Sequence, residues 1–480
     1  MIDGIHSHGY ILDASYPTTF FRELSPVWLN YVAALNGAAP RELSQTFTYL
    51  ELGCGTGFSS LVHGAAFPSA EFHACDFNPI CIAACEQRAG ALAIRNVRFH
   101  EASFEELLTR NLPEFDFIVL HGVYSWVDNP VQQSIRQLIR ENLKPGGLVY
   151  LSYNCLPGWT CEVPLRKLLL EFAAASKGDS SQRTEHAVHT LKRLRSSGLE
   201  FFRANPSAIT AVDAYARSDS SYMAHEFLDE AWEPRYSVDV ADEMMEAEVS
   251  YLGSATLVDN HEPLIIDSST AEAISGLETA RQRQLATDFA VNRQFRRDVF
   301  VRPSENDENV DVARNLSDVV IGCLGNPATI STTIQVPRGR VNFHADFIQE
   351  LRPLMSRGPA TLRQVATALG GEIRNSGEIV RNLLYLVAAG VLTPFAKPFG
   401  PTGSHMPREF ASTTVKRMFE DVAHADGPGQ IASEVVGSAI EMRPNDAAAV
   451  IEYLTGRIRG EPKTALAELL PRLLRLGLLK

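Results

Sequence analysis

No apolar run among the 480 residues approaches the length needed to cross a bilayer, and the leading Met1-Ile2-Asp3-Gly4 lacks the basic stretch and apolar segment of a secretory leader. These absences set aside a membrane span and read the protein as cytoplasmic. Cysteine is scarce: seven residues, an odd number, with no Cys-x-x-Cys pair. That pattern suits reduced thiols and not a disulfide framework. Cys54, Cys75 and Cys155 fall on predicted strands or in a glycine loop, where burial is the plain role. Positive charge is also short. A formal net charge of -13 argues against nucleic acid as a partner, because phosphate backbones are held by clustered Lys and Arg; a small molecule or a cationic protein fits better. His6 and His8 have no further ligands at a telling spacing, so no metal is expected. There is no internal repeat, and 45% hydrophobic with 21% charged residues is the composition of an ordinary globular protein without long disordered stretches.

At about 150 residues per domain the chain is long enough for several units. Its strongest local pattern is Thr48-Tyr49-Leu50-Glu51-Leu52-Gly53-Cys54-Gly55-Thr56-Gly57, an apolar strand running into Gly-x-Gly-x-Gly. A chain that turns back over a strand end needs residues that tolerate positive φ and carry no Cβ to strike a ligand. The spacing differs from the Gly-x-Gly-x-x-Gly of dinucleotide sites, whose last glycine admits a helix beneath a pyrophosphate. With the acidic Glu51 ahead of it, this tighter loop favours S-adenosylmethionine over NAD. Phe58 to Ala66 has helical apolar spacing. A second alternating run, Glu71 to Asp76, ends in a carboxylate about twenty residues after the glycines, where a second parallel strand presents acceptors to both ribose hydroxyls. Asp76 is therefore the predicted ribose ligand.

Three more strands are expected at Val97 to His100, Phe115 to Leu120 and Gly147 to Tyr153. The last follows Leu143-Lys144-Pro145-Gly146-Gly147, which reads as a helix end with the stop chemistry of Pro and Gly. Ala102-Ser103-Phe104 offers a small polar side chain beside an aromatic for an adenine edge. Ahead of the loop, Ser25-Pro26 is an N-cap and first-turn pair, and Tyr10, Tyr16, Phe20 and Phe21 before it form a candidate lid. A helical stretch from Val163 to about Ala204 is followed by a helix through Met244 and Met245 and by sixth and seventh strands at Val249 to Leu252 and Asp298 to Arg302. Pro303 to Asn309 is an acidic, turn-rich break. Beyond it, helical patterns at Phe347 to Met355, Thr361 to Leu369 and Ser376 to Ala389, followed by Gly390-Val391-Leu392-Thr393-Pro394, resemble a winged helix. Glu378 and Arg381 cancel on its third helix, which favours protein contact over DNA reading. The leucine stripe from Leu469 to Leu476 reads as core.

Residues Leu50 to Trp159 resemble the class I S-adenosylmethionine-dependent methyltransferases. Several strings narrow the likeness: His121-Gly122-Val123-Tyr124-Ser125-Trp126-Val127, Ser152-Tyr153-Asn154-Cys155-Leu156-Pro157-Gly158-Trp159, His225-Glu226-Phe227-Leu228, and Asn292-Arg293-Gln294-Phe295-Arg296-Arg297, with a weaker match at Ala432 to Ser438. These resemble the bacterial proteins that carry a methyltransferase regulatory domain, a group that includes rickettsial outer-membrane-protein lysine methyltransferases. Ser103 stands where many of these enzymes have Asp, and Asp128 replaces the usual Pro after Ser-Trp-Val. The resemblance implies an α/β fold: a Rossmann-like seven-stranded class I methyltransferase sheet with helical insertions, plus a mostly α C-terminal region with a winged-helix-like unit. The expected divisions are 1-160 for the N-terminal segment and cofactor-binding core, 161-235 for a helical insertion, and 236-303 for completion of the core, with the regulatory domain roughly at 217-300. A winged-helix-like middle domain at 304-400 and a helical C-terminal domain at 401-480 complete the chain, and a homodimer is implied.

The expected cofactor is S-adenosyl-L-methionine, leaving as S-adenosyl-L-homocysteine. Its predicted site comprises Glu51, Gly53, Cys54, Gly55 and Gly57 on the loop, Asp76, Phe77 and Asn78 after the second strand, Ser103 and Phe104 at the adenine, His121 and Gly122 after the fourth strand, and Tyr16 from the lid. Methyl transfer is an in-line displacement, and orienting the reactants can contribute roughly 7–11 kcal/mol without any covalent residue. If the acceptor is a lysine amine, its neutral form at pH 7 costs about 4.6 kcal/mol, so apolar walls or a polar acceptor must help. Tyr124 and Trp126, with Trp159, are pocket candidates, though Trp126 and Trp159 also suit plain core packing. Asn154 could accept an amine hydrogen, and His121 could orient the acceptor. His225 with Glu226 could form a relay or a structural hydrogen bond. The acceptor is read as a protein lysine, the alternatives being a small molecule methylated at N or O, or cofactor binding without transfer.

Overall fold

A computed structural model describes residues 6–7, 10–11, 19–229, 231–304, 311–370, 377–399, 406–458, 462 and 464–480. The first helix, α1 (Pro26–Leu35), starts as its sequence dictates: Ser25 Oγ accepts the Val27 N–H at 3.3 Å and Pro26 fills the first turn. The core then alternates strand and helix through β1 (Thr48–Leu52), α2 (Phe58–Ala66), β2 (Glu71–Asp76), α3 (Pro79–Leu92), β3 (Val97–Glu101), α4 (Phe104–Leu108), β4 (Phe115–Leu120), α5 (Asn129–Asn142) and β5 (Leu143–Asn154). A helical insertion follows: α6 (Val163–Ala174), α7 (Ser180–Ser196), α8 (Glu200–Ala204), α9 (Pro206–Tyr215) and α10 (Ser220–Phe227). After α11 (Ser237–Glu246), β6 (Ser250–Ser254) and β7 (Phe295–Val301) finish the sheet, with α12 (Glu262–Ile265), α13 (Ser268–Ser275) and α14 (Ala280–Ala290) between them. Strand order is β3-β2-β1-β4-β5-β7-β6, parallel through β5, with β7 antiparallel to both neighbours.

Alternation along the strands divides the core in two. Tyr49, Phe117, Val119, Tyr150 and Val299 face α1 and α2, whereas Leu50, Ile118, Leu120, Leu151 and Phe300 face α5 and α11. Phe47 makes edge contacts with Phe67, Phe72 and Phe117 at 5.2, 5.9 and 5.6 Å, each pair contributing about 0.5–1.5 kcal/mol beyond its buried area. The insertion has a core of its own, built on Leu165, Leu169, Leu191, Phe202 and Phe227.

Two sequence expectations are corrected. The fifth strand begins at Leu143, directly after α5, so Lys144 to Gly147 is not a helix terminator but an irregularity within the strand: pairing jumps from Phe115 with Leu143 to Phe117 with Leu148. Gly146 donates its N–H to Arg302 O at 2.9 Å, and that bond keeps the bulged segment in the sheet. Strand β7 begins at Phe295 and not at Asp298, because Asn154 and Ser152 on β5 pair with Phe295 and Arg297.

Beyond the sheet run α15 (Val312–Asp318), β8 (Val320–Gly322), the hairpin β9 (Thr333–Val336) and β10 (Gly339–Asn342), α16 (Ala345–Arg357), β11 (Ala360–Thr361), α17 (Leu362–Ala368), α18 (Gly377–Ala388) and β12 (Thr393–Phe395). Strands β11, β8 and β12 form a small sheet in that order beside the three helices. The final region is not wholly helical. Between α19 (Thr413–Ala423) and the pair α20 (Pro444–Leu454) and α21 (Thr464–Arg475) lies a hairpin, β13 (Gly429–Ser433) and β14 (Ser438–Met442). Its turn uses Gly437 at φ 68°, where an added Cβ would sit 2.5 Å from Val27 Cγ2. Ser25 Oγ donates to the Gly437 carbonyl at 2.6 Å, tying this hairpin to the start of α1.

Candidate active site

The loop after β1 hangs from the end of β2. Gly53 and Cys54 both donate their N–H groups to the Cys75 carbonyl, at 2.8 and 2.9 Å. Gly53, Gly55 and Gly57 take φ of 71°, 52° and 65°. At two of these positions a side chain would also collide: a Cβ on Gly53 would lie 2.5 Å from Val123 Cγ2, and one on Gly57 2.6 Å from Cys85 Sγ. Gly55 differs: among the described residues beyond its chain neighbours, no atom lies within 4 Å of its Cβ position. The tip of the loop thus presents bare backbone to open space.

Acidic groups line this edge. The Gly55 N–H donates to Asp76 Oδ2 at 2.8 Å and the Asn78 N–H to Asp76 Oδ1 at 2.9 Å, which aims the carboxylate across the loop. Burial raises the Asp76 pKa in spite of these donors. Glu51 is buried on β1, accepts the Ser60 hydroxyl, and is pushed up to about 7 by desolvation. Asn78 caps α3, its Oδ1 accepting the Ile80 N–H at 2.9 Å. Contact with Cys85, then burial, raises the Cys54 thiol pKa, so this residue offers its backbone and not a thiolate. Ser103 forms a capping box with Glu106 at the start of α4, its Oγ accepting the Glu106 N–H at 3.1 Å. Phe104, the next residue, is a neighbour of Gly53.

His121 follows β4. Its Nδ1 lies 2.8 Å from the Tyr150 hydroxyl, its ring stacks on Phe21 with centroids 3.8 Å apart, and Phe295 meets it edge-on at 5.9 Å. Burial, and then the charge of Arg297, bring its pKa down to about 3, so the imidazole is neutral at physiological pH. Gly122 donates its N–H to Ser152 Oγ at 2.9 Å, and the Asn154 N–H donates to Ser125 Oγ at 2.8 Å. The loop after β4 is in this way laced to β5.

The structure removes two aromatic candidates from the site. Tyr124 is fully buried on the α5 side; its hydroxyl donates to Glu243 and accepts from Arg136. Trp159 is buried in the insertion core against Trp232 and Phe227, and its indole N–H donates to Gln294 O at 2.8 Å. Trp126 leans on the same core but is only partly buried. Tyr16 lies outside the described residues, as does the side chain of His225, whose backbone is in α10. The remaining predicted residues fall on the carboxyl ends of β1, β2 and β5 and on the segments that follow β1 to β4: Glu51, Asp76 and Asn154 are strand residues, Phe104 opens α4, and Phe77 is at the turn into α3.

Tyr150 and Ser152 join this edge without having been predicted as site residues, beside the predicted Asn154, and Glu226, read with His225 as a relay or a structural hydrogen bond, faces it from α10. Tyr150, Ser152 and Asn154 share one face of β5, and the side-chain amide of Asn154 is buried with no hydrogen bond of good geometry at Nδ2. Opposite Asn154, Glu226 on α10 is raised to about 7, chiefly by burial; the Asn154 amide lowers it and the charge of Glu162 raises it further. Glu162 accepts the Tyr215 hydroxyl at 2.5 Å and the Gln294 amide at 2.8 Å. Alternation along Tyr150-Leu151-Ser152-Tyr153-Asn154 was the available sequence signal for the β5 residues.

An open glycine cradle, with a carboxylate aimed across it at the carboxyl edge of a sheet in this strand order, fits an adenosyl amino acid and defines a class I S-adenosylmethionine-dependent methyltransferase. Among the described residues no group of His, Cys, Asp or Glu could hold a metal ion, and no helix is long and apolar enough to cross a membrane. Residues 43–200 match the model of a methyltransferase domain, and residues 219–302 match the one described as "Predicted methyltransferase regulatory domain". Protein sll1526 of Synechocystis sp. is 33% identical over 362 residues, covering 75% of this chain and 71% of that protein. Protein RP789 of Rickettsia prowazekii is 27% identical over 288 residues, covering 59% of this chain and 50% of that protein. The structure of PKMT2 from Rickettsia typhi has a TM-score of 0.69 at 18% identity, over 97% of this chain and 100% of that one; its complex with AdoHcy gives the same score at 20% identity and the same coverage. The chain belongs to the family of methyltransferases that carry a methyltransferase regulatory domain.

Proposed function

We propose that the protein methylates a lysine amine of a protein acceptor. The observation that carries this reading is the acidic group beyond β5, in which Glu226 and Glu162 converge with the Asn154 amide. Carboxyl groups in a water-poor recess suit an ammonium and repel a carboxylate acceptor. A lysine must also become neutral before it attacks, at a cost of about 4.6 kcal/mol at pH 7 in water. Glu226, held near 7, is matched to take that proton: its carboxylate receives the proton and Asn154 orients the neutral nitrogen. The likeness to PKMT2 along almost the whole chain supports a protein acceptor.

S-adenosylmethionine, when bound, supplies an electrophilic methyl group on a sulfonium. In this reading Gly53, Gly55 and Gly57 let the backbone approach it, Asp76 takes the ribose hydroxyls, and Phe104 with the Ser103 backbone borders the adenine. His121, being neutral, positions and does not abstract. Glu226 and its helix lie within the matched regulatory stretch, which would make that stretch part of the acceptor pocket. Incubating the protein with methyl-labelled cofactor and a host lysate tests the proposal. Label on lysine side chains of protein bands supports it; label confined to the small-molecule fraction reassigns the acceptor to a metabolite.

A further inference from the structure

Arg297 is a cation with no counter-ion among the described residues, placed level with the glycine loop. Register fixes its position. Glu51 pairs with Val119, so Gly53 stands beside His121; Leu120 pairs with Leu151, so His121 stands beside Ser152; and Ser152 pairs with Arg297. The four residues form one transverse row at the carboxyl edge, spanning about 14 Å at the usual strand spacing. Alternation puts the side chains of His121, Ser152 and Arg297 on the face shared by Tyr49, Val119, Tyr150 and Val299, which is the face that α1 and the preceding Phe21 cover.

Neighbouring arginines on the same segment are ion-paired. Arg293 pairs with Asp259 and Asp288, and Arg296 with Asp288 and Asp298. Arg297 has no ion pair among the described residues. Its guanidinium lies over the Phe295 ring at 5.2 Å and donates to Thr256 Oγ1 at 3.2 Å, while its Nε is buried without a partner. Glu23 is close enough to act on Tyr150 but is not paired with Arg297. A half-buried guanidinium with an unused N–H costs free energy unless an anion arrives to meet it.

We propose that Arg297 binds the carboxylate of the cofactor's methionine moiety. The planar fork of an arginine suits a carboxylate, and the row places it on the far side of His121 from the loop that cradles the adenosyl half. An acidic group on the acceptor is the other source of a carboxylate. It is disfavoured here because Asn154, which faces Glu226 where the acceptor is proposed to sit, stands one pair further out than Ser152 and Arg297. The inference does not depend on what the acceptor is.

Calorimetric titration of the full chain with S-adenosylhomocysteine and with its decarboxylated analogue tests it. The wild type should prefer S-adenosylhomocysteine by about tenfold to a hundredfold, the range of a charged hydrogen-bonded pair. Arg297→Gln should lose that factor for S-adenosylhomocysteine and keep its affinity for the analogue, which also reports that the site is folded; Arg297→Lys should recover part of it. Equal loss for both ligands, or loss for neither, overturns the proposal. So does a wild type that binds the two equally, a result that needs no variant to fold.

Discussion

The Tyr124 hydroxyl donates to Glu243 Oε2 at 2.7 Å and accepts from Arg136 at 3.0 Å, so the residue after β4 that most resembles a pocket wall is a tie between α5 and α11. Glu243 is also held by Arg235, and Arg136 by Glu246 at 3.0 Å. Tyr124→Phe should cost about 1–3 kcal/mol of stability, because buried charged partners lose a hydrogen bond. The affinity for S-adenosylhomocysteine should stay the same. Paired melting and titration curves check this, and weaker ligand binding at an unchanged melting temperature would return Tyr124 to the site.

Asp76 does two jobs in the proposed site, holding the Gly55 N–H and facing the ribose. Asp76→Ala should weaken S-adenosylhomocysteine binding by about tenfold or more, the worth of a charge-assisted hydrogen bond. An unaltered dissociation constant would remove Asp76 from the cofactor site.

Glu226 sets a pH dependence of defined sign. Its folded pKa of about 7 lies above the ordinary 4.5, so the stability associated with its protonated form is complete below 4.5 and is lost as pH rises through 7. Glu226→Gln should therefore be more stable than the wild type at pH 8, the difference closing by about pH 4. Transfer by the wild type should rise with pH through the same range, and the variant should lack that limb. Denaturation at both pH values and initial rates across the range decide the point.

Arg296 lies between Asp288 and Asp298, at 2.6 and 2.9 Å, and all three are buried. Tyr153 donates to Asp298 at 2.6 Å from β5, which joins the group to the central sheet. Arg296→Leu takes the nearest cation from two buried carboxylates, leaving Asp288 with Arg293 at 3.6 Å and Asp298 with the Tyr153 hydroxyl, and should cost about 3–5 kcal/mol, read as a shift in the urea midpoint. A shift within error would show that the carboxylates reach water or protons by another route.

Much of the fold was legible. The strand, glycine loop, helix, strand and acid from Thr48 to Asp76 were read with their bounds intact, because each depends on neighbours in sequence: alternation for the strands, 3.6-residue spacing for α2, and positive φ for the glycines. The aromatic candidates were not legible in the same way. Tyr124 and Trp159 follow strand ends just as pocket residues would, and their partners lie 119 and 135 positions away. Arg297, proposed above for the cofactor carboxylate, was given no site role from sequence because the seventh strand was read as starting at Asp298, which left the arginine outside the alternation that gives it a face.

The sequence by itself determined the class of the sheet and the cofactor cradle, since backbone sterics at Gly53, Gly55 and Gly57 and the acid at the end of β2 are local constraints that survive any packing around them. Only the tertiary structure decided which polar side chains face that cradle and which are consumed within the core. That choice is made by partners brought together across the sheet: Glu243 for Tyr124, Gln294 for Trp159, and Ser152 for Arg297. A side chain's chemistry is written in the chain, but what it touches, and so whether it is free to act, depends on burial and pairing that no short stretch of sequence contains.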